Sequence, residues 1–151
     1  MYYMTVLSTT SQADLATHNN DLVKFSKALP GVLEEKYLAH PFKWFIGSKS
    51  GCSCALRHLC VSSVELGFGE PEEWFPEEAS DIEATKQVVA TIRAIVTEGA
   101  KVDCVDAWAH ELMDAAPLGG DIEVNLSEVS DTSFRFFEMH RFSFVQKVSA
   151  P

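Results

Sequence analysis

The sequence contains few basic residues. Its 12 Lys and Arg are outnumbered by 22 Asp and Glu, which gives a net charge of −10. Binding to nucleic acid requires a basic face that displaces counterions, and docking on anionic lipid relies on the same attraction. The composition therefore argues against nucleic-acid and membrane partners. The excess of acid is compatible with solubility and with a basic protein partner.

Long apolar runs and a secretion signal are also missing. The longest apolar segment, residues 88–96, contains Arg93 and is much shorter than the ~18 residues that a membrane-spanning helix needs. Residues 1–7 are apolar but lack the basic region and the cleavage site of a signal peptide. Four Cys in such a chain predict free thiols in a reducing compartment, so we expect a cytoplasmic protein.

Several common catalytic motifs are absent. Cys52 and Arg57 are separated by four residues, one fewer than a phosphatase loop requires to encircle a phosphate. Residues 47–51 lack the spacing of a Walker loop, and neither the dinucleotide-binding glycine pattern nor the nucleophile elbow occurs. His110 opens a zinc-protease-like pattern, but Asp114 stands where the second His is required. The absence of a complete catalytic motif favours a binding protein and does not by itself decide whether the protein is an enzyme.

The residues that are present are typical of a globular protein. Apolar residues make up 46% of the 151 positions, and ten Phe and three Trp provide large side chains for a core. A chain of this length normally folds as one domain, and we expect a single domain over residues 1–151.

Short apolar or alternating segments indicate a sheet. Strands are predicted at residues 1–8, 21–25, 37–38, 43–46, 58–66, 101–106, 122–126 and 142–144. Their order, with turn residues between them, suggests an antiparallel meander over the first part of the chain.

Two helices are predicted. Ser80 and Glu83 have the spacing of a capping box, an apolar stripe at helical spacing follows, and Gly99 suits a left-handed C-terminal cap, so we expect a long helix over residues 81–98. Ser127 suits the N-terminus of a shorter helix over residues 128–137. The predicted fold class is α+β, with a mixed or mainly antiparallel sheet and both helices packed on one face.

Charge is unevenly distributed along the chain. Residues 36–64 contain no Asp or Glu, whereas residues 65–83 contain eight acids and no Lys or Arg. A positive segment on an acidic protein would hold a small anionic ligand or favour a thiolate, and Lys49 and Arg57 are the candidate residues. The alternative is that strands are simply poor in acids.

A Cys-x-Cys sequence lies inside the acid-free stretch, and three interpretations remain open. Cys52, Cys54, His58 and Cys60 are zinc-type ligands, although all four lie close together in the sequence. Cys52 and Cys54 are also candidates for thiol-redox chemistry, because a disulfide between them would close a small, strained and easily reduced ring. The third interpretation is structural, since free Cys often behaves as a small buried hydrophobe.

A second group of candidate catalytic residues follows the strand predicted at residues 101–106. Asp106 and His110 are four residues apart and would share a helix face, as a base and its supporting carboxylate or as ligands of a divalent ion. With Cys52 they would complete a Cys-His-Asp arrangement if the fold brought them together. The alternative is a solvated acidic turn.

Trp74 and Phe75 interrupt the acidic stretch. Aromatic side chains in an acidic loop either anchor a partner or tuck back onto the domain as a lid. The leading hypothesis is a non-catalytic binding module that uses this acidic surface for a partner, without a cofactor, and a homodimer would also fit. The alternative is a thiol-redox or metal-binding protein centred on residues 52–54, with zinc as its metal.

Overall fold

The computed structural model describes residues 2–109 and 113–147. These residues form eight strands, one α-helix and three 3-10 helices. The strands are β1 Tyr3–Thr9, β2 Val23–Ser26, β3 Phe42–Ser48, β4 His58–Leu59, β5 Val102–Trp108, β6 Gly120–Asn125, β7 Phe136–Phe137 and β8 His140–Val145. The α-helix is α1 Ala79–Thr97, and the 3-10 helices are Leu15–His18, Leu33–Tyr37 and Val61–Leu66.

Six strands form one mixed sheet in the order β2-β3-β1-β5-β8-β6. All neighbouring pairs are antiparallel except β6 and β8, which run parallel. The α+β class and the mixed sheet with one long helix are confirmed. The strand order differs from a simple meander, because β1 lies between β3 and β5, and β4 leaves the sheet to pair with β7.

The sheet buries side chains on both faces. The main core lies between the sheet and α1, which packs against β2 and β8. A smaller cluster on the other face contains Val6, Leu38 and Val105, next to the 3-10 helix Leu33–Tyr37. Val6 and Leu7 therefore enter different clusters, as alternation along a strand requires.

The long helix is confirmed, but its start differs from the prediction. The buried stripe comprises Ala84, Val88, Val89, Ile92 and Ile95. The predicted capping box is wrong: α1 begins at Ala79 with Glu78 as an N-cap that makes no side-chain capping bond. The hydroxyl of Ser80 accepts a hydrogen bond from Lys49 instead, and the carboxylate of Glu83 accepts one from Gln87.

Gly99 ends the helix as predicted. Its φ of +100° lies in the region that favours glycine, and its N–H donates to Val96 O while the N–H of Ala100 donates to Ile95 O. Among the described residues, no helix combines the length and the apolar character needed to cross a membrane.

The shorter helix predicted over residues 128–137 is wrong. The segment consists of turns that lead into β7. Guanidinium groups bind its carbonyl oxygens: Arg93 donates to Leu126 O and Val129 O, and Arg57 donates to Thr132 O and Phe134 O. These donors replace the backbone N–H groups that a helix would supply, so the segment satisfies its carbonyls without becoming helical.

The strand predicted at residues 37–38 is wrong throughout, and the strand predicted at residues 58–66 is wrong over part of its length. Tyr37 ends a 3-10 helix, because the N–H of Leu38 donates to Glu35 O rather than to a neighbouring strand. The strand predicted at residues 58–66 stops at Leu59, since its partner β7 is only two residues long. The remainder folds into the 3-10 helix Val61–Leu66.

Candidate functional site

The Cys-x-Cys loop follows β3 and is fixed to the sheet through its middle residue, Ser53. The buried Ser53 hydroxyl accepts the N–H of Thr5 at 2.8 Å and donates to Ile46 O at 2.6 Å. Its N–H donates to Tyr3 O at 2.9 Å. Its carbonyl oxygen lies 2.6 Å from Nε2 of His58. Four hydrogen bonds therefore hold the single residue that separates the two cysteines.

His58 joins this loop to the centre of the sheet. Its Nδ1 lies 2.8 Å from Oδ2 of Asp106, a fully buried carboxylate on β5 that also accepts a hydrogen bond from the Thr5 hydroxyl. The ring of Tyr3 stacks on the imidazole at 3.9 Å with an interplanar angle of 5°. Burial opposes the imidazolium, but the charge of Asp106 outweighs it, so the pKa of His58 lies above its ordinary value.

This arrangement gives His58 a structural role. Nε2 faces a carbonyl oxygen and Nδ1 faces a carboxylate, so both ring nitrogens act as donors. An imidazolium in that state has no lone pair with which to take a proton from a thiol. His58 therefore positions Ser53 and is not arranged as a general base.

Each of the two thiols accepts a hydrogen bond from a backbone N–H group. The sulfur of Cys52 accepts the N–H of Cys54 at 3.3 Å and lies 3.2 Å from the hydroxyl of Ser50. The sulfur of Cys54 accepts the N–H of Tyr3 at 3.4 Å. Both cysteines are half-buried, so each sulfur is held without being sealed from solvent.

The two thiols differ in acidity. Partial burial opposes ionisation of Cys52, but hydrogen bonds from the Cys54 thiol, the Ser50 hydroxyl and the Cys54 N–H outweigh it, so the pKa of Cys52 lies below its ordinary value. Partial burial and the neighbouring Cys52 sulfur raise the pKa of Cys54 to about 11. Cys52 therefore ionises first, and Cys54 remains the protonated partner.

The zinc-type ligands are not gathered into one group. Cys60 is exposed and interacts with the hydroxyls of Ser62 and Ser63 at 3.0 and 3.3 Å. His58 is fully engaged by Asp106 and Ser53. In the part of the chain that the structure describes, no set of three or more His, Cys, Asp and Glu side chains is placed to hold a metal ion.

Arg57 and Lys49 are not directed at the thiols. The fully buried guanidinium of Arg57 binds both carboxylate oxygens of Glu77, at 2.7 and 2.8 Å, and Arg135 binds the same carboxylate. Lys49 donates to the hydroxyl of Ser80 at 2.7 Å. The acid-free stretch and the acidic stretch therefore contact each other within the fold.

The fold brings only part of the second candidate group to the cysteines. Asp106 reaches the Cys-x-Cys loop through His58. His110, with which Asp106 was predicted to act, lies outside the described residues.

The acidic loop holds its two aromatic side chains differently. Trp74 is 67% exposed, and its Nε1 donates to Oε2 of Glu72 at 2.9 Å. Phe75 is half-buried, with the guanidinium of Arg135 5.6 Å from its ring centre. Phe75 thus packs back onto the domain, whereas Trp74 projects into solvent.

A cavity of about 290 Å³ lies between the acidic loop and the Cys-x-Cys loop. It is lined by Tyr3, Cys54, Leu56, Arg57, His58, Phe75, Pro76, Glu77, Glu78 and Asp81. Burial raises the pKa of Asp81. The lining thus combines the aromatic rings of Tyr3 and Phe75, the carboxylates of Glu78 and Asp81, and the Arg57–Glu77 ion pair.

A larger, open groove of about 570 Å³ lies elsewhere, between Lys27, Lys43 and Trp44. The ammonium of Lys27 lies 5.1 Å from the centre of the Trp44 ring. None of the site residues predicted from the sequence lines this groove.

Sequence reasoning missed Ser53, Tyr3 and Glu77. Ser53 and Tyr3 meet through contacts between residues about fifty positions apart, and Glu77 is one of eight acids in its stretch. No local pattern distinguishes them. Comparison with protein-family models, curated protein sequences and solved structures finds no match.

Proposed function

We propose that this protein is a binding module whose acidic loop, residues 70–78, captures a basic segment of a partner protein without catalysis at that surface. The observation that supports the proposal best is Trp74, a large aromatic side chain that is 67% exposed on an otherwise well-anchored loop. Aromatic residues of this kind provide much of the binding energy at protein interfaces.

The loop is anchored at both ends, which prepares it for binding. The carboxylate of Glu70 accepts hydrogen bonds from the hydroxyls of Ser130 and Thr132, at 2.7 and 2.6 Å. Glu77 is held by two buried arginines at the other end. An ordered loop loses less conformational entropy when a partner binds, so more of the contact energy contributes to affinity.

Charge favours a basic partner. Glu73 and Glu78 are exposed on the same loop as Trp74, and Glu78 and Asp81 line the adjacent cavity. A Lys or Arg side chain would enter that cavity next to carboxylates, while an apolar neighbour on the partner packs on Trp74. Complementary charge of this kind accelerates association and excludes acidic competitors.

The compartment that fits this proposal is the cytoplasm. All four cysteines are free, and two of them, Cys52 and Cys54, are separated by one residue. A reducing compartment would keep such a pair in the dithiol form.

The proposal is tested by tryptophan fluorescence with three synthetic peptides of equal length. One is rich in Lys, Arg and Leu, one replaces the basic residues by Glu, and one replaces them by Ser. We expect the basic peptide alone to change the emission of wild-type protein, because Trp74 becomes covered. The response should disappear in Trp74→Phe, which retains the buried Trp44 and the other indole, Trp108.

Val61→Ala is the matched control, since Val61 is 65% exposed and lies outside the acidic loop. This variant should respond to the basic peptide as wild type does. A response of equal size to all three peptides, or a response that survives in Trp74→Phe, would refute the proposal.

A further inference from the structure

We propose that Cys52 and Cys54 form a redox-active pair that exchanges disulfide bonds with a small-molecule or protein substrate. The proposal rests on the geometry of the Cys-x-Cys loop and is independent of partner binding at Trp74. It begins from the fact that a clamp of buried hydrogen bonds holds the residue between the two cysteines, and that the Cys52 sulfur accepts the N–H of Cys54.

The clamp acts on Ser53, the residue between the cysteines. Thr5, Ile46, Tyr3 and His58 each hold one of its polar groups. The last of these contacts is buttressed by Asp106, which is fully buried in β5 and fixes the imidazole. The clamp therefore restricts the backbone between the two cysteines, which lowers the entropy cost of bringing their sulfurs together.

The sulfurs have complementary environments. The Cys52 sulfur accepts the Cys54 N–H and lies against the Ser50 hydroxyl, so three neighbouring groups can donate to a thiolate there, including the Cys54 thiol. The direction of both pKa shifts agrees with this geometry, because ionisation is easier at Cys52 and harder at Cys54. Cys52 is thus suited to attack a substrate disulfide, and Cys54 is suited to resolve the mixed disulfide that forms on Cys52.

A substrate can reach the pair. Both cysteines are half-buried, and Cys54 lines the cavity of about 290 Å³ beside the acidic loop. The other two thiols differ: Cys104 is fully buried within β5, and Cys60 is exposed and interacts with the hydroxyls of Ser62 and Ser63, which also lower its pKa. The structure therefore distinguishes one pair from two single thiols.

The reaction requires no cofactor and balances within the dithiol and its substrate. The Cys52 thiolate attacks one sulfur of a disulfide R–S–S–R, the substrate S–S bond breaks, and one R–S⁻ leaves and takes up a proton. Cys54 then loses its proton and attacks the Cys52 sulfur of the mixed disulfide, which expels the second R–S⁻. The cysteines are oxidised to one disulfide, and the substrate is reduced to two thiols.

The test treats reduced wild-type protein with oxidised glutathione, then blocks the remaining thiols and maps the peptides by mass spectrometry. We expect a disulfide between Cys52 and Cys54, with little glutathione retained on either. Cys54→Ser should instead accumulate glutathione on Cys52, because the resolving thiol is gone. Cys52→Ser should react about tenfold more slowly at the remaining position, since the more acidic thiol has been removed.

Cys60 provides an internal control on the same chain. It should retain glutathione as an unresolved mixed disulfide in wild type and in both variants, and Cys60→Ser should leave oxidation of the pair unchanged. A second arm replaces oxidised glutathione by insulin, and reduction of insulin would identify a protein disulfide as the substrate class. Retention of glutathione on Cys52 in wild type, or no disulfide between Cys52 and Cys54 with either oxidant, would overturn the proposal.

Discussion

Among single residues, Glu77 has the central place in the contacts of the acidic loop, residues 70–78. Its carboxylate binds the guanidinium groups of both Arg57 and Arg135, and the side chains of these arginines are 0% and 4% exposed. Arg57 in turn holds Gly69 O and two carbonyl oxygens of the segment before β7. Removal of the Glu77 charge would leave two buried cations without their shared partner.

Glu77→Gln should lower the free energy of unfolding by about 3 kcal/mol, because breaking a buried ion pair costs far more than losing an exposed one. Urea denaturation followed by circular dichroism measures the change. Glu73→Gln, which neutralises an exposed acid of the same loop, is the control and should stay within about 0.5 kcal/mol of wild type. Equal stability of the two variants would contradict this role for Glu77.

The same residue gives the unfolding free energy a pH dependence. Burial opposes the Glu77 carboxylate, but Arg57 and Arg135 outweigh it and hold the pKa below the ordinary value of 4.5. A depressed pKa contributes stability that is present above pH 4.5 and is lost as the pH falls through the folded-state pKa. Glu77→Gln should therefore lose less stability than wild type on acidification below pH 4.5.

Sequence reasoning identified Arg57 but not its partner. The absence of acids around it suggested a free cation for an anion or a thiolate. Its partner lies twenty residues away in the acidic stretch, on a loop whose path the local sequence does not determine. The pairing follows from tertiary structure alone.

Among the structural elements, the segment between β6 and β7 owes its shape to α1. Arg93 projects from α1 and donates to Leu126 O at 2.6 Å and Val129 O at 3.0 Å, and it also binds Asp131. One planar guanidinium thus binds two backbone carbonyl oxygens and one carboxylate of this segment.

Arg93→Met should lower the free energy of unfolding by about 2 kcal/mol, since two carbonyl oxygens lose their donors. Hydrogen exchange should accelerate across residues 126–134 and remain slow in β1. Arg93→Lys should recover only part of the loss, because one ammonium group cannot reach all three acceptors. Lys86→Met, at an exposed position of α1, serves as the control. Unchanged hydrogen exchange across residues 126–134 in Arg93→Met would disprove the role of Arg93.

These elements show why some segments were predictable and others were not. The periodic apolar residues of α1 and the alternation of Ile122 and Val124 in β6 are local signals, and both elements were predicted. The helix predicted over residues 128–137 depended on local propensity, and donors from Arg93 and Arg57 overrode it. The capping box failed because α1 begins at Ala79, which places Ser80 inside the first turn, where its hydroxyl accepts a hydrogen bond from Lys49.

Across the whole molecule, side chains of the acid-free stretch, residues 36–64, form ion pairs and hydrogen bonds with side chains of the acidic stretch, residues 65–83. Arg57 pairs with Glu77, and Lys49 bonds to Ser80 beside Asp81. What remains exposed is acidic and surrounds an aromatic side chain, with Glu72, Glu73 and Glu78 on the loop that carries Trp74. Part of the net charge of −10 is therefore exposed as negative charge at the proposed binding surface.

The candidate site was predictable in part at this scale. The sequence singled out both the Cys-x-Cys loop and the Trp74–Phe75 loop, and the fold places them on either side of one cavity. The clamp around Ser53 was not predictable, because it is built from residues of β1, β3, β4 and β5 that come together only in the folded protein.

The most direct test of the central claim is calorimetric titration of the basic peptide into wild type, Trp74→Ala and Cys52→Ser at one salt concentration. The account predicts binding to wild type, at least about tenfold weaker binding to Trp74→Ala, and unchanged binding to Cys52→Ser, because the exposed indole and not the thiol contacts the partner. No binding to wild type, or equal affinities for wild type and Trp74→Ala, would contradict a binding module built on the acidic loop.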